Sequence, residues 1–254
     1  MLKIFISFLF LIQVSFAQVA FVRSTQGSAV AAALTLSIEV SAGTDRMLVV
    51  GFGYKSNGVL VPDSISFNGG ELFSVEDGGS DNADAQCLLY YLANPTVTTA
   101  NVVIYMPSSV RCGGYVSLFT GINQSDPFTA NTVKAGSSSN NPTVNISSSS
   151  AEICVSIMAQ VAAGPFTISA NSGTLILDQA ASGGGTDLRA GGQYEVGTGT
   201  RTMQFTMSDV EDWNIIAAAL QIPSSGWTGK ITGVTNPKEI KGVSVSNISK
   251  VNGQ

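Results

Sequence analysis

The chain of 254 residues contains no histidine. That absence removes Ser-His-Asp and Cys-His nucleophile systems, the commonest general base near neutral pH and the usual zinc ligands. Charge is scarce as well, with Asp, Glu, Lys and Arg making up only 11% of the chain. The net charge is −5, and four lysines (Lys230, Lys238, Lys241, Lys250) gather behind Thr228 with a single acid, Glu239. An acidic body repels phosphate backbones, and so sparse a basic tail makes no phosphate-binding stripe, which argues against a nucleic-acid partner. No Gly-x-Ser-x-Gly elbow, phosphate-cradling loop or dinucleotide fingerprint stands in a strand-to-helix setting. Cysteine is limited to Cys87, Cys112 and Cys154, spaced for neither a disulfide framework nor a zinc site. One bridge with a leftover thiol and three buried free thiols are both open readings.

What is present begins at the first residue. Met1-Leu2-Lys3 puts one positive charge ahead of an apolar run from Ile4 to Ile12, and small residues end the segment at Ser15 and Ala17. This reads as a secretory signal peptide over 1–17, cut before Gln18 and too short to span a bilayer. The expected localisation is secreted and extracellular, with no membrane span after cleavage and no cysteine at the cut to carry a lipid.

Hydrophobic residues reach 44% and glycine 27 positions, so a packed core is expected, built from short β-branched runs. Strand signals fall at 19–24, 32–40, 46–54, 64–67, 71–75, 85–92, 101–105, 114–120, 151–161, 174–177, 192–196, 202–207 and 213–222. Asn57-Gly58, Asn68-Gly69-Gly70, Asp77-Gly78-Gly79 and Gly183-Gly184-Gly185 punctuate them. Leu34, Leu36 and Ile38 alternate with Thr35, Ser37 and Glu39, as in a strand with one wet face. Runs 47–52, 87–92 and 215–220 are apolar on both faces, as central strands are when something covers the outside. The expected fold is all-β, a two-sheet antiparallel β-sandwich of jelly-roll or lectin-like type over 18–225, with an appendage over 226–254. In the appendage Ile231-Thr232-Gly233-Val234 recurs as Ile240-Lys241-Gly242-Val243. Seven Ile/Val positions there are too few for a core, so the segment must dock on the sandwich or on another chain.

Asp45 to Gly51 (Asp-Arg-Met-Leu-Val-Val-Gly) and Leu118 to Pro127 (Leu-Phe-Thr-Gly-Ile-Asn-Gln-Ser-Asp-Pro) resemble the hallmark strands of a sandwich module of unassigned function in secreted bacterial and phage structural proteins. Leu88-Leu89-Tyr90-Tyr91-Leu92 with Asn94-Pro95, and Asp212-Trp213 leading into the last strand, extend the resemblance over 19–223. It implies a lectin-like shape and a non-catalytic role, and supplies no site residues. The segment from Gly242 to Gly253 is similar to tails closing some phage virion-associated proteins.

Three groups of side chains carry candidate chemistry. Asp209, Glu211 and Asp212 beside Trp213, with Glu195 in reach, offer acids next to an aromatic platform, as a sugar site needs; the alternative is a solvated turn with Trp213 as a core anchor. Trp227, outside the sandwich, is expected to be exposed and to serve a ligand or the docking of the tail. Asp77, Asp81 and Asp84, in a glycine-softened loop with Glu76 and Asn82, offer the oxygen shell calcium prefers, against an ordinary acidic hairpin. The function expected is an extracellular binding or adhesion module for carbohydrate, with a glycan or cell-surface component as partner. The alternative is a structural subunit of a virion appendage or extracellular filament that self-associates through the tail.

Overall fold

The computed structural model describes residues 18–56, 60–78, 84–162, 167–182 and 187–223, with four paired segments of the tail; residues 75–78, 131–138, 162 and the tail are described by backbone alone. The signal-peptide reading of 1–17 lies outside the described residues. The chain is all-β, with antiparallel pairing throughout. Its first half comprises β1 (Ala20–Glu39), β2 (Met47–Lys55), β3 (Ser64–Phe67), β4 (Glu71–Leu72), β5 (Ser74–Gly78), β6 (Ala85–Ala93) and β7 (Thr99–Thr120). The second half comprises β8 (Phe128–Ser139), β9 (Thr143–Ser148), β10 (Ile153–Ala162), β11 (Ile168–Ala170), β12 (Thr174–Ala181), β13 (Asp187–Val196), β14 (Gly199–Met207) and β15 (Glu211–Leu220). In the tail, β16 (Lys230–Ile231) pairs with β17 (Val234–Thr235), and β18 (Glu239–Ile240) pairs with β19 (Val243–Ser244). The repeated Ile-x-Gly-Val text thus marks two hairpins of one kind.

Two large sheets pack face to face, one of seven strands from the first half and one of five from the second. Each half also closes over its own outer face. In the first half β1 and β7 are long enough to turn a corner: Ala31 pairs with Val110 and Ala33 with Tyr105, so residues 106–109 make the bend. Beyond it, Leu34, Leu36 and Ile38 of β1 and Ile65 of β3 share a core with Leu48, Val50 and Phe52 of β2. In the second half a separate sheet, β11-β14-β9, covers the five-stranded one, and Met203, Phe205 and Met207 meet Met158 and Ile215. Hence 47–52, 87–92 and 215–220 are apolar on both faces: their strands lie between two layers.

The halves repeat one another. β1 pairs with β7 as β8 pairs with β15 and β9 with β14; β2 with β6 and β7 as β10 with β13 and β15; β3 with β7 as β11 with β14; β5 with β6 as β12 with β13. Irregularities recur too, a register shift at Phe21/Arg23 matching one at Phe128/Ala130, and one at Val75/Asp77 matching one at Leu175/Leu177. Ile65-Ser66-Phe67-Asn68-Gly69-Gly70 aligns with Ile168-Ser169-Ala170-Asn171-Ser172-Gly173. The Asn68 amide donates to Asn101 O at 3.2 Å as the Asn171 amide donates to Gln204 O at 3.1 Å. In the first copy Asn68 and Gly69 adopt positive φ (51° and 74°), which an Asn-Gly pair tolerates.

The contact between the halves is reciprocal, as in an isologous dimer. Register makes Phe21 the counterpart of Phe128 and Tyr91 that of Tyr194. Phe21 stacks on Tyr194 at 4.3 Å, and Phe128 meets Tyr91 edge-on at 5.3 Å. Between these pairs Tyr115 is fully buried and donates to Ser156 O at 3.3 Å. Its ring fits because Gly51 and Gly192 flank it: a Cβ on either would come within 2.3 and 2.6 Å of the ring. The three cysteines occupy three different cores, Cys87 between the halves, Cys112 inside the first and Cys154 inside the second, and all are free thiols.

Candidate functional site

The corner of the first half carries a cleft of about 330 Å³. Lys55 ends β2, and in the register of β2 and β7 it stands directly opposite Arg111, which in turn stands opposite Val30 of β1. The three therefore form one row across three strands and project to the same face. Ser108 and Ser109, exposed at the bend of β7, and Ser56 after β2 add hydroxyls to the rim. Leu60 and Val110 supply an apolar wall. Tyr54 holds that wall: its hydroxyl donates to Leu60 O and accepts from the Leu60 amide at 3.1 Å. Burial pushes the Tyr54 phenol up to about 12, so it stays protonated as donor. Below the bend, Cys112 Sγ donates to Ala29 O at 3.6 Å and burial pushes this thiol up to about 11, which makes it a packing residue rather than a nucleophile.

The electrostatics of the row are unusual for so acidic a chain. Two cations face each other across a strand pair, and Asp84 lies at the rim, its carbonyl accepting from the Ser56 amide at 3.3 Å. Arg23, Arg189 and Arg201 pair with Glu39, Asp178 and Glu195, and Arg46 donates to Gly43 O at 2.6 Å and Asn94 Oδ1 at 2.9 Å. Arg111, the fifth arginine, is half-buried, and its Nε is buried with no hydrogen-bond partner among the described residues.

The equivalent corner of the second half is the turn the sequence singled out. Gln160 stands opposite Trp213, so Asp212 occupies the position of Arg111, Trp213 that of Cys112 and Val161 that of Lys55. Asp209 and Asp212 are exposed, and Gln160 Nε2 donates to Asp209 O at 3.4 Å. Trp213 is no platform beside them. It is 3% exposed and packs in the core of the second half, because the strand turns alternate residues inward and Asp212 takes the outer place. Nor does Glu195 join this turn: it stands opposite Cys154, six positions along β10 from Gln160, about 20 Å at the rise of a strand. Glu195 instead pairs with Arg201 at 2.9 Å and accepts from Ser172 Oγ at 2.8 Å.

Of the proposed calcium ligands, Asp84 is exposed, while Asp81 and the side chain of Asp77 lie outside the described residues, as does Trp227. Among the described residues no three His, Cys, Asp or Glu side chains converge as metal ligands would. Sequence reasoning passed over Lys55 and Arg111. The signal that could have found them is the recurrence of Ile-Ser-x-Asn, which aligns the halves and sets Arg111 against Asp212. No protein-family model, curated protein or solved structure matches the chain.

Proposed function

We propose that this chain is a secreted, non-catalytic binding module for carbohydrate, acting through the corner of its first half. The observation that supports this reading is the cleft itself: hydroxyls from Ser56, Ser108 and Ser109 and cationic donors from Lys55 and Arg111 converge on a concavity with an apolar wall. Sugar recognition needs that combination of directed hydrogen bonds and apolar surface. A glycan array probed with the full chain tests the reading; saturable binding to a defined set of saccharides supports it, and none at all overturns it.

The second reading, a structural subunit that assembles through its tail, draws on the two matching hairpins β16–β17 and β18–β19. Light scattering on the full chain and on a version ending at residue 225 separates the two readings. Assembly lost with the tail favours the subunit, and two compact monomers favour the binding module.

A further inference from the structure

The outer layer of the second half, β11-β14-β9, presents a surface of one chemistry. Val144, Ile146, Ile168, Met203, Phe205 and Met207 turn inward to the core, so alternation turns their neighbours to solvent. Register sets those neighbours in rows: Ser169 opposite Thr206, Gln204 opposite Thr143 and Thr202 opposite Asn145, with Thr200 opposite Ser147 beyond. Each is exposed or half-buried, and none is charged, aromatic or aliphatic. Hydrogen bonds hold part of this strip in place. Thr202 Oγ1 donates to Asn145 Oδ1 at 2.7 Å, and Thr206 Oγ1 lies 2.7 Å from Asn171 Oδ1 and 3.2 Å from Asn141 Oδ1. With their oxygens engaged, Asn145 and Asn171 keep N–H donors for a ligand, and side chains already ordered have less freedom to lose on binding.

The strand plan does not require this uniformity. On the counterpart face of the first half Val103 takes the place of Thr206 and Glu39 that of Asn145, and Leu72 and Tyr105 are exposed there. Composition then selects the occupant. A nucleic acid or acidic polymer needs cations, a protein partner needs aromatic or arginine anchors, and a lipid surface needs apolar or basic side chains. The outward positions of the strip supply none of these. What fits is a neutral partner dense in hydroxyls. Three strands make the strip about 10 Å wide, and Thr200 to Thr206 run about 20 Å, the shape of an extended sugar chain rather than a single ring. With no aromatic ring to stack on, the sugars would meet it by their hydroxyl edges.

We infer that the outer face of β9, β11 and β14 binds a neutral polysaccharide chain laid along β14. This rests on the binding-module reading and adds a second surface with its own ligand class. The test is depletion of the full chain from solution by cellulose, chitin, mannan and polygalacturonate, with the amount bound measured against concentration. Thr202→Val with Thr206→Val removes two hydroxyls and keeps the β-branched shape. Asn145→Glu removes an amide donor and installs the residue of the counterpart face. Thr35→Val with Thr99→Val makes the hydroxyl change on that counterpart face, and Ser108→Ala with Ser109→Ala strips the rim of the corner cleft. Thermal unfolding shows which variants fold as the parent does. The expected result is saturable binding to at least one of the three neutral polymers and none to polygalacturonate. Apparent affinity should fall about tenfold in the Thr202 and Thr206 pair. It should fall also in Asn145→Glu and stay unchanged in the other two pairs.

No neutral polymer bound, polygalacturonate bound as tightly, an equal loss in the Thr35 and Thr99 pair, or binding that survives in a folded strip variant would each overturn the inference. If polymer binding is lost with the Ser108 and Ser109 hydroxyls instead, or the array shows saccharide binding while no polymer is bound, the inference falls and the binding-module reading stands. A blank array together with no polymer bound removes both.

Discussion

The two halves of this molecule share a strand plan and differ in what they place at its corner. The first half uses Cys112 as the inward residue and Arg111 as the outward one; the second uses Trp213 and Asp212. The inward exchange changes packing and the outward exchange changes charge, while the pairing with the central strand, β2 or β10, is kept. Register is set by the buried face, so the outward position is free to vary without disturbing the sheet. A duplicated scaffold of this kind can therefore change the charge at one corner and the packing at the other within one strand plan.

The largest expected effect separates the inward residues. Trp213→Ala should cost about 3–5 kcal/mol, since it empties a core position that nothing nearby can refill, whereas Cys112→Ala should cost about 1 kcal/mol. Urea unfolding of both variants measures the difference, and equal losses would break the claim that the second half leans on its tryptophan. Next comes the seam between the halves. Gly192 is the counterpart of Leu89, and Gly192→Leu would restore the residue of the first half at a place where even a Cβ meets the Tyr115 ring. A loss of about 3 kcal/mol is expected. A variant as stable as the parent would mean that the ring of Tyr115 is not wedged between the halves.

The reciprocal aromatic contacts sharpen the comparison further. A double-mutant cycle on Phe21 and Tyr194, set beside one on Phe128 and Tyr91, should give coupling of about 0.5–1.5 kcal/mol at each. Coupling at only one would show that the reciprocity is geometric and not energetic.

The last effect appears only at alkaline pH. Burial raises Tyr54 from 10.0 to about 12 and Cys112 from 9.0 to about 11. An acid whose folded pKa lies above its unfolded value stabilises the fold fully below the unfolded value and loses that contribution as pH climbs to the folded one. Stability should therefore hold to about pH 9 and fall between pH 9 and 12. Tyr54→Phe with Cys112→Ala should reduce that slope but not abolish it, since burial also raises Cys87, Tyr90, Tyr115 and Cys154; an unchanged slope would assign it wholly to those four.

Much of the fold was legible in the chain. The alternation of Leu34, Leu36 and Ile38 with Thr35, Ser37 and Glu39 is the observed division of buried and exposed residues, and Ile215 to Leu220 is a strand despite its alanines. Period-two patterning reports one face at a time, so it identified strands but not how many layers they form. The doubly apolar runs did carry that information, because a strand needs two apolar faces only when covered twice. The duplication was harder to see: sheet pairing constrains the type of residue rather than its identity, and only the tight Ile-Ser-x-Asn turn kept enough text to recognise. The candidate site was the least legible. Lys55 and Arg111 lie 56 positions apart and become neighbours only through the register of β2 and β7, while Asp209, Asp212 and Trp213, adjacent in sequence, were the more conspicuous group.

The separation of the three thiols gives the molecule its own set of clocks. Each gap between layers holds one sulfhydryl, so the rate at which each is alkylated in mild denaturant times the parting of one particular pair of layers. Three rates that rise together would describe a stack that opens as a unit. A staggered series would give the order in which the layers come apart, read from the native thiols with no cysteine introduced.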